Sequence, residues 1–99
     1  MEIPRLSGKE AEILRLLTTN GEMYGLEMVT ASQELKRGTV YVTLMRMAEK
    51  GFVESREEES PPPNRPPRKL FRATGQGVRV YRAMEAASRV YGGGVAWQT

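Results

Sequence analysis

"GTVYVTLMRMAEKGFV", Gly38 to Val53, decides how this chain folds. Val40, Leu44 and Met47 recur at i, i+4 and i+7, the spacing that places apolar side chains on one side of a helix. The stretch predicts a helix from about Gly38 to Lys50. Gly51 is its natural stop, because glycine takes a left-handed backbone at a helix end without strain. With the apolar side inward, the opposite side offers Thr39, Tyr41, Val42, Thr43 and Arg46. Two readings of that side stay open. It is an ordinary wetted surface, with Tyr41 half buried against a neighbouring helix, or it is a surface that touches a partner.

Upstream, "LSGKEAEILRLLTTNGE" predicts a first helix. Ser7 caps it, and Glu10 stands three residues on, as a capping box requires. Leu6 is placed as a staple before the cap, Ile13, Leu14 and Leu17 form the buried stripe, and Asn20 with Gly21 ends it. A shorter helix is expected from Tyr24 to Gln33, in which Gly25 either admits a close neighbour or simply occupies the first turn. "ELKRG" is a polar connector to the opening stretch.

Downstream the period changes. "FVESREEE" and "RKLFRAT" alternate as strands do, with Lys69, Phe71 and Ala73 on one face. Between them, "SPPPNRPP" cannot be regular structure, since proline lacks a donor and fixes φ; it is expected to be extended and stiff. These segments predict a two-stranded hairpin with a long tip. From Thr74 the helical period returns, with Val80, Met84, Ala87 and Tyr91 at i, i+4, i+7 and i+11 and with Val78 and Tyr81 on a neighbouring face. A helix over 74–91 follows, then a glycine-rich tail, 92–99, expected to be flexible. Trp97 lies in that tail.

The totals narrow the classes. The 99 residues suggest one domain, assigned to 1–91. Apolar residues at 39% and charged residues at 27% fit a globular chain rather than a disordered one. The net charge of +3 permits a nucleic-acid partner without requiring one. There is no Cys and no His, which removes disulfides, thiolate metal sites and the commonest general base. No cofactor and no enzyme activity are expected. No apolar run approaches the roughly 20 residues of a membrane span, and the N-terminus lacks an apolar signal core, so a cytoplasmic protein with no membrane contact is expected.

The order helix, helix, helix, hairpin, helix is the plan of a winged helix-turn-helix, a mainly α fold with a small β-hairpin. In such folds the third helix enters the DNA major groove and the wing reaches flanking backbone or minor groove. The residues suit that use. Thr39 and Thr43 can donate hydroxyl hydrogens to phosphate or base edges, Tyr41 can donate to phosphate, and Arg46 can chelate a guanine edge or grip the backbone. Lys36 and Arg37 stand where the helix would meet the DNA backbone. In the wing, Arg65, Arg68, Lys69 and Arg72 form a run without acids, whereas Glu54, Glu57, Glu58 and Glu59 precede it. Arg65 and Arg68 near the tip are the leading expected phosphate contacts, with Lys69 beside them. The alternative is a hairpin neutralised across its own ladder. A winged helix that binds protein through the acidic run and the proline tip is the rival to DNA binding.

"ILRLL…GEMYGLEM", then "LKRGTVYVTLMRMAEKGFVES", then "RKLFRATGQGVRVY" together resemble the PadR family of bacterial transcriptional regulators over about Leu6 to Tyr91. The specific pieces are Tyr24-Gly25, Gly38-Thr39-Val40-Tyr41, Lys50-Gly51, and Arg68-Lys69 through Thr74 and Gly77. The resemblance implies a DNA-binding homodimer, usually a repressor, that contacts double-stranded DNA through the start of the third helix, including Tyr41, and through the wing. It implies dimerisation through the helix after the wing, a role that falls to Val80, Met84, Ala87 and Tyr91. Whether that helix closes its own core or meets a second copy, its two apolar faces allow both. Two features depart from the family pattern: the long proline-rich wing loop, and the short stretch beyond the last helix where larger members carry a further domain. Several members respond to aromatic or drug-like ligands; this sequence identifies no small-molecule effector, operator or direction of control.

Overall fold

A computed structural model of the protein describes residues 5–90. Tyr91, the tail 92–99 and Trp97 lie outside the described residues. Four helices surround a small antiparallel sheet: α1 Gly8–Asn20, β1 Met23–Tyr24, α2 Gly25–Ala31, α3 Arg37–Glu49, β2 Val53–Glu57, β3 Lys69–Ala73 and α4 Gly75–Val90.

Local chemistry sets the start of α1. The Ser7 hydroxyl accepts from the Glu10 amide at 3.1 Å, and the Glu10 carboxylate accepts from the Ser7 amide at 2.9 Å. Both ends of the capping box are thus made. Leu6 packs, partly buried, on the core. Gly21, at φ 82°, closes the helix by donating its amide to the Leu17 carbonyl.

α3 ends as a glycine after a helix should. The Gly51 amide donates to the Ala48 carbonyl and the Phe52 amide to the Met47 carbonyl, with Gly51 at φ 82°. The core joins Ile13, Leu14, Leu16 and Leu17 of α1 to Met28, Leu35, Val40, Leu44, Met47, Val53, Phe71 and Tyr81. Leu16 and Leu35 join this core without having been singled out in the sequence.

Two expectations need correction. The second helix does not run from Tyr24 to Gln33. Met23 and Tyr24 are extended and pair with Phe71 and Leu70, and the helix spans Gly25–Ala31, ended by extended Ser32. The sheet therefore has three strands in the order β1-β3-β2, not two. The reason is Met23, a buried side chain that reaches the core from a strand edge.

The last helix is fastened to α3 at one joint. The Thr74 hydroxyl donates to the Gly51 carbonyl at 2.6 Å and accepts from the Gly77 amide at 3.0 Å, while the Thr74 amide donates to the Phe52 carbonyl. Gly77 rests against the Phe52 carbonyl so closely that a Cβ there would overlap it. Beyond this joint Tyr81 and Ser88 are buried, and Val80, Met84 and Ala87 are half-buried beside them.

Candidate nucleic-acid interface

α3 is anchored by one side and bare on the other. Val40, Leu44 and Met47 are at most 1% exposed. At 100° per residue, the direction opposite them runs through Gly38, Val42, Met45 and Glu49. Met45 is 65% exposed and Val42 50%. Thr39, Thr43 and Arg46 flank this outward stripe on one side, and Tyr41 flanks it on the other.

The flanks differ in surroundings. Thr39, Val42, Thr43 and Arg46 form one wall of a shallow groove, and Ser7 and Lys9 at the start of α1 form the other. The floor is closed by an ion pair between Lys50 and Glu10 at 2.8 Å. Burial pushes the Glu10 carboxyl up, but the Lys50 ammonium and the Ser7 amide and hydroxyl outweigh it and hold it below its ordinary value. Thr43 is partly buried, and its hydroxyl donates to the Thr39 carbonyl one turn back at 3.1 Å, which leaves the oxygen only as an acceptor. On the other flank, the Tyr41 ring lies over Gly25 of α2. A Cβ at position 25 would stand 2.6 Å from the ring. Gly25 is thus the close-approach glycine, and Tyr41 is a braced side chain, 43% exposed, rather than a loose one.

Lys36 and Arg37 sit exposed at the N-terminal end of α3. Among the described residues, neither they nor Arg46 has an acidic partner within ion-pair distance.

The wing is different. Arg65 grips Glu58 with both terminal nitrogens, at 2.7 and 2.9 Å. Chiefly for that reason, and with help from the Arg68 amide, the Glu58 carboxyl falls to about 2. Arg72 pairs with Glu54 across the ladder, and Arg56 with Glu22. The Arg68 guanidinium lies 4.3 Å from the centre of the Tyr24 ring, a cation–π contact. Lys69 is exposed, stands opposite Glu57 in the ladder and has no ion pair among the described residues. Arg65, engaged within the hairpin, and Arg68, engaged with the Tyr24 ring of β1, were the leading candidates from the sequence.

The structure brings Lys36, Arg37, Thr39, Tyr41 and Arg46 together around one helix and puts Arg65, Arg68 and Lys69 on a separate hairpin. Sequence reasoning passed over Met45, because an apolar residue in a helix is ordinarily assigned to the core, although its angular position beside Val42 marks it as outward. It also missed Lys9 and the Glu10–Lys50 pair; no local pattern announces a contact between the two helices. Among the described residues there is no acidic cluster suited to a metal ion, and no helix is long and apolar enough to cross a membrane.

Comparison with known proteins agrees with this architecture. A PadR family transcription regulator from Clostridium difficile R20291 superposes with a TM-score of 0.74, at 24% identity over 84% of this chain and 88% of that one. A PadR-like transcription factor from Bacteroides fragilis gives 0.74 at 26% identity, over 83% and 81%. Bacillus subtilis PadR in complex with operator DNA gives 0.67 at 20% identity, over 77% of this chain and 45% of that one. No curated protein sequence matches the chain. The family model of PadR-like transcriptional regulators matches residues 13–83, most of the four-helix winged fold, and the chain belongs to that family.

Proposed function

We propose that this protein is a sequence-specific transcriptional regulator of the cytoplasm that binds double-stranded DNA as a homodimer, acts as a repressor and recognises a near-palindromic operator. One observation carries the reading: α3 buries Val40, Leu44 and Met47 completely while Thr39, Tyr41 and Arg46 stand clear, with Lys36 and Arg37, which have no ion pair among the described residues, at its leading end. A major groove about 12 Å wide admits one such helix. Arg46 and Thr39 would reach base edges or phosphate, Thr43 would accept from the edge of the interface, and the braced Tyr41 would donate its phenol hydrogen to a phosphate.

The wing contributes at the flank. Lys69 and Arg68 are the cations there without an ion pair among the described residues; Arg65 would reach phosphate by exchanging Glu58, and Arg68 by exchanging the Tyr24 ring, for DNA. Val80, Met84 and Ala87, half-buried next to the core face of α4, would meet the same stripe of a second copy, extended by Tyr91. A two-fold pair would set two α3 helices about one DNA turn apart. The domain then comprises residues 1–91.

A protein-binding wing is the second reading, favoured by the Glu54–Arg72 and Glu58–Arg65 pairs, which leave the hairpin almost neutral. Selection of bound duplexes from random DNA at two salt concentrations separates the two. DNA reading yields an inverted repeat and affinity that falls steeply with salt. On the recovered site, Tyr41→Phe and Arg46→Ala should each weaken binding without lowering the melting temperature. A titration in which neither change moves affinity would end the α3 assignment.

A further inference from the structure

The centre of the outward face of α3 is apolar. Its flanks carry hydroxyls and a guanidinium, but the stripe facing directly away from the core holds Val42 and Met45, 50% and 65% exposed. Neither has a polar atom able to read a hydrogen-bonding base edge well, since a thioether is only a weak acceptor and a valine has none. In the free protein both are simply wetted. The major groove offers one apolar feature at base level, the 5-methyl group of thymine. The charge around the stripe suits that occupant. Lys36 and Arg37 stand at one end and Arg46 on one flank, all without ion pairs among the described residues, so the apolar centre is framed by cations that can hold two phosphate rails. Glu49, the acid in the same stripe, lies at the C-terminal end of the helix, away from the end that leads into the groove.

We propose that Val42 and Met45 are specificity-determining residues that read thymine methyl groups at the centre of each half-site. The proposal rests on the DNA-binding reading above and adds to it which chemical feature of the bases is recognised. Val42 is stiff at χ1 and fixes one methyl position. Met45 is flexible and polarisable, so it packs on whichever methyl lies one step along.

The test uses the full chain and the duplex recovered by selection. Each thymine of the half-site is replaced in turn by deoxyuridine, which removes the methyl and leaves every hydrogen-bonding group in place. At one or two central positions, wild-type affinity should fall about fourfold per methyl, which is about 0.8 kcal/mol at about 1.4 kcal/mol per tenfold. The loss should vanish against Met45→Ala or Val42→Ser, each compared with its own binding to the thymine duplex. Both side chains are exposed, so both variants should melt at the wild-type temperature. If deoxyuridine is tolerated everywhere by a wild-type protein that still binds its selected site, methyl reading is overturned and the DNA-binding assignment stands. If no duplex is recovered or bound at either salt concentration, the DNA-binding assignment falls and this inference falls with it.

Discussion

Two segments of this chain carry four cations each and differ in what those cations meet. Lys36, Arg37, Arg46 and Lys50 frame α3; Arg65, Arg68, Lys69 and Arg72 line the return of the wing. Around α3 only Lys50 is ion-paired among the described residues. On the wing Arg65 and Arg72 are ion-paired and Arg68 lies over Tyr24. Equal counts therefore give unequal available charge. A cation already gripped by a carboxylate must give up that partner before it can displace a counterion from DNA, so on the proposed DNA-binding reading the wing would be the weaker electrostatic anchor although its sequence is the more basic-looking run. The Glu58–Arg65 clasp instead ties the proline-rich tip to the end of the outgoing strand β2.

The contrast can be broken or sharpened by measurement. The largest effect belongs to the anchored side of α3. Leu44→Ala should destabilise the fold by about 2–5 kcal/mol, seen as an earlier chemical-denaturation midpoint, because a fully buried side chain leaves a cavity. Its neighbour Met45→Ala, on the bare side, should stay within about 0.5 kcal/mol of wild type. Equal losses would mean that α3 has no free face.

Next comes Gly25→Ala. The new methyl displaces the Tyr41 ring, the far end of a movable side chain, so the fold should persist while DNA affinity drops about tenfold, the loss of roughly one charge-assisted hydrogen bond. Combined with Tyr41→Ala, the two losses should fail to add, since both remove the same contact.

The charge comparison itself is tested by salt. Lys36→Ala with Arg37→Ala should flatten the log–log salt dependence of binding by about two units, one per phosphate contact. Arg65→Ala should change it by well under one. A larger slope change from Arg65 would reverse the ranking of the two segments.

The smallest effect is the acid titration of the wing. Arg65, with the Arg68 amide, holds the Glu58 carboxyl at about 2 against an ordinary 4.5. A depressed carboxyl contributes stability that is complete above pH 4.5 and is lost as pH falls from 4.5 toward 2. Carboxyl carbon shifts in NMR should show Glu58 titrating near the bottom of that window, with Arg65→Ala returning it toward the ordinary value. An unchanged midpoint in Arg65→Ala would show that the clasp does not persist in solution.

What the sequence disclosed follows the range of each interaction. The capping box of Ser7 and Glu10 spans three residues, and its partners can be read side by side. The inward face of α3 was legible because a helix repeats. β1 was not legible: two residues show no period, and what makes Met23 and Tyr24 a strand is Leu70 and Phe71 on a distant segment. The wing's charge state was hidden likewise, since acids and bases in a hairpin can be counted but their pairing depends on how the proline loop folds back. Met45 was passed over for a different reason, a rule that apolar means inward, which its 65% exposure breaks.

Thr74 has one more consequence. By holding the Gly51 carbonyl and the Gly77 amide with one hydroxyl, it ties the start of α4 to the end of α3. In a pair of copies joined along α4, the separation of the two reading helices would then be set at this hinge point, as the opening of a caliper is set by its pivot. The number of base pairs between half-sites would then depend on this joint as well as on the helix that reads them.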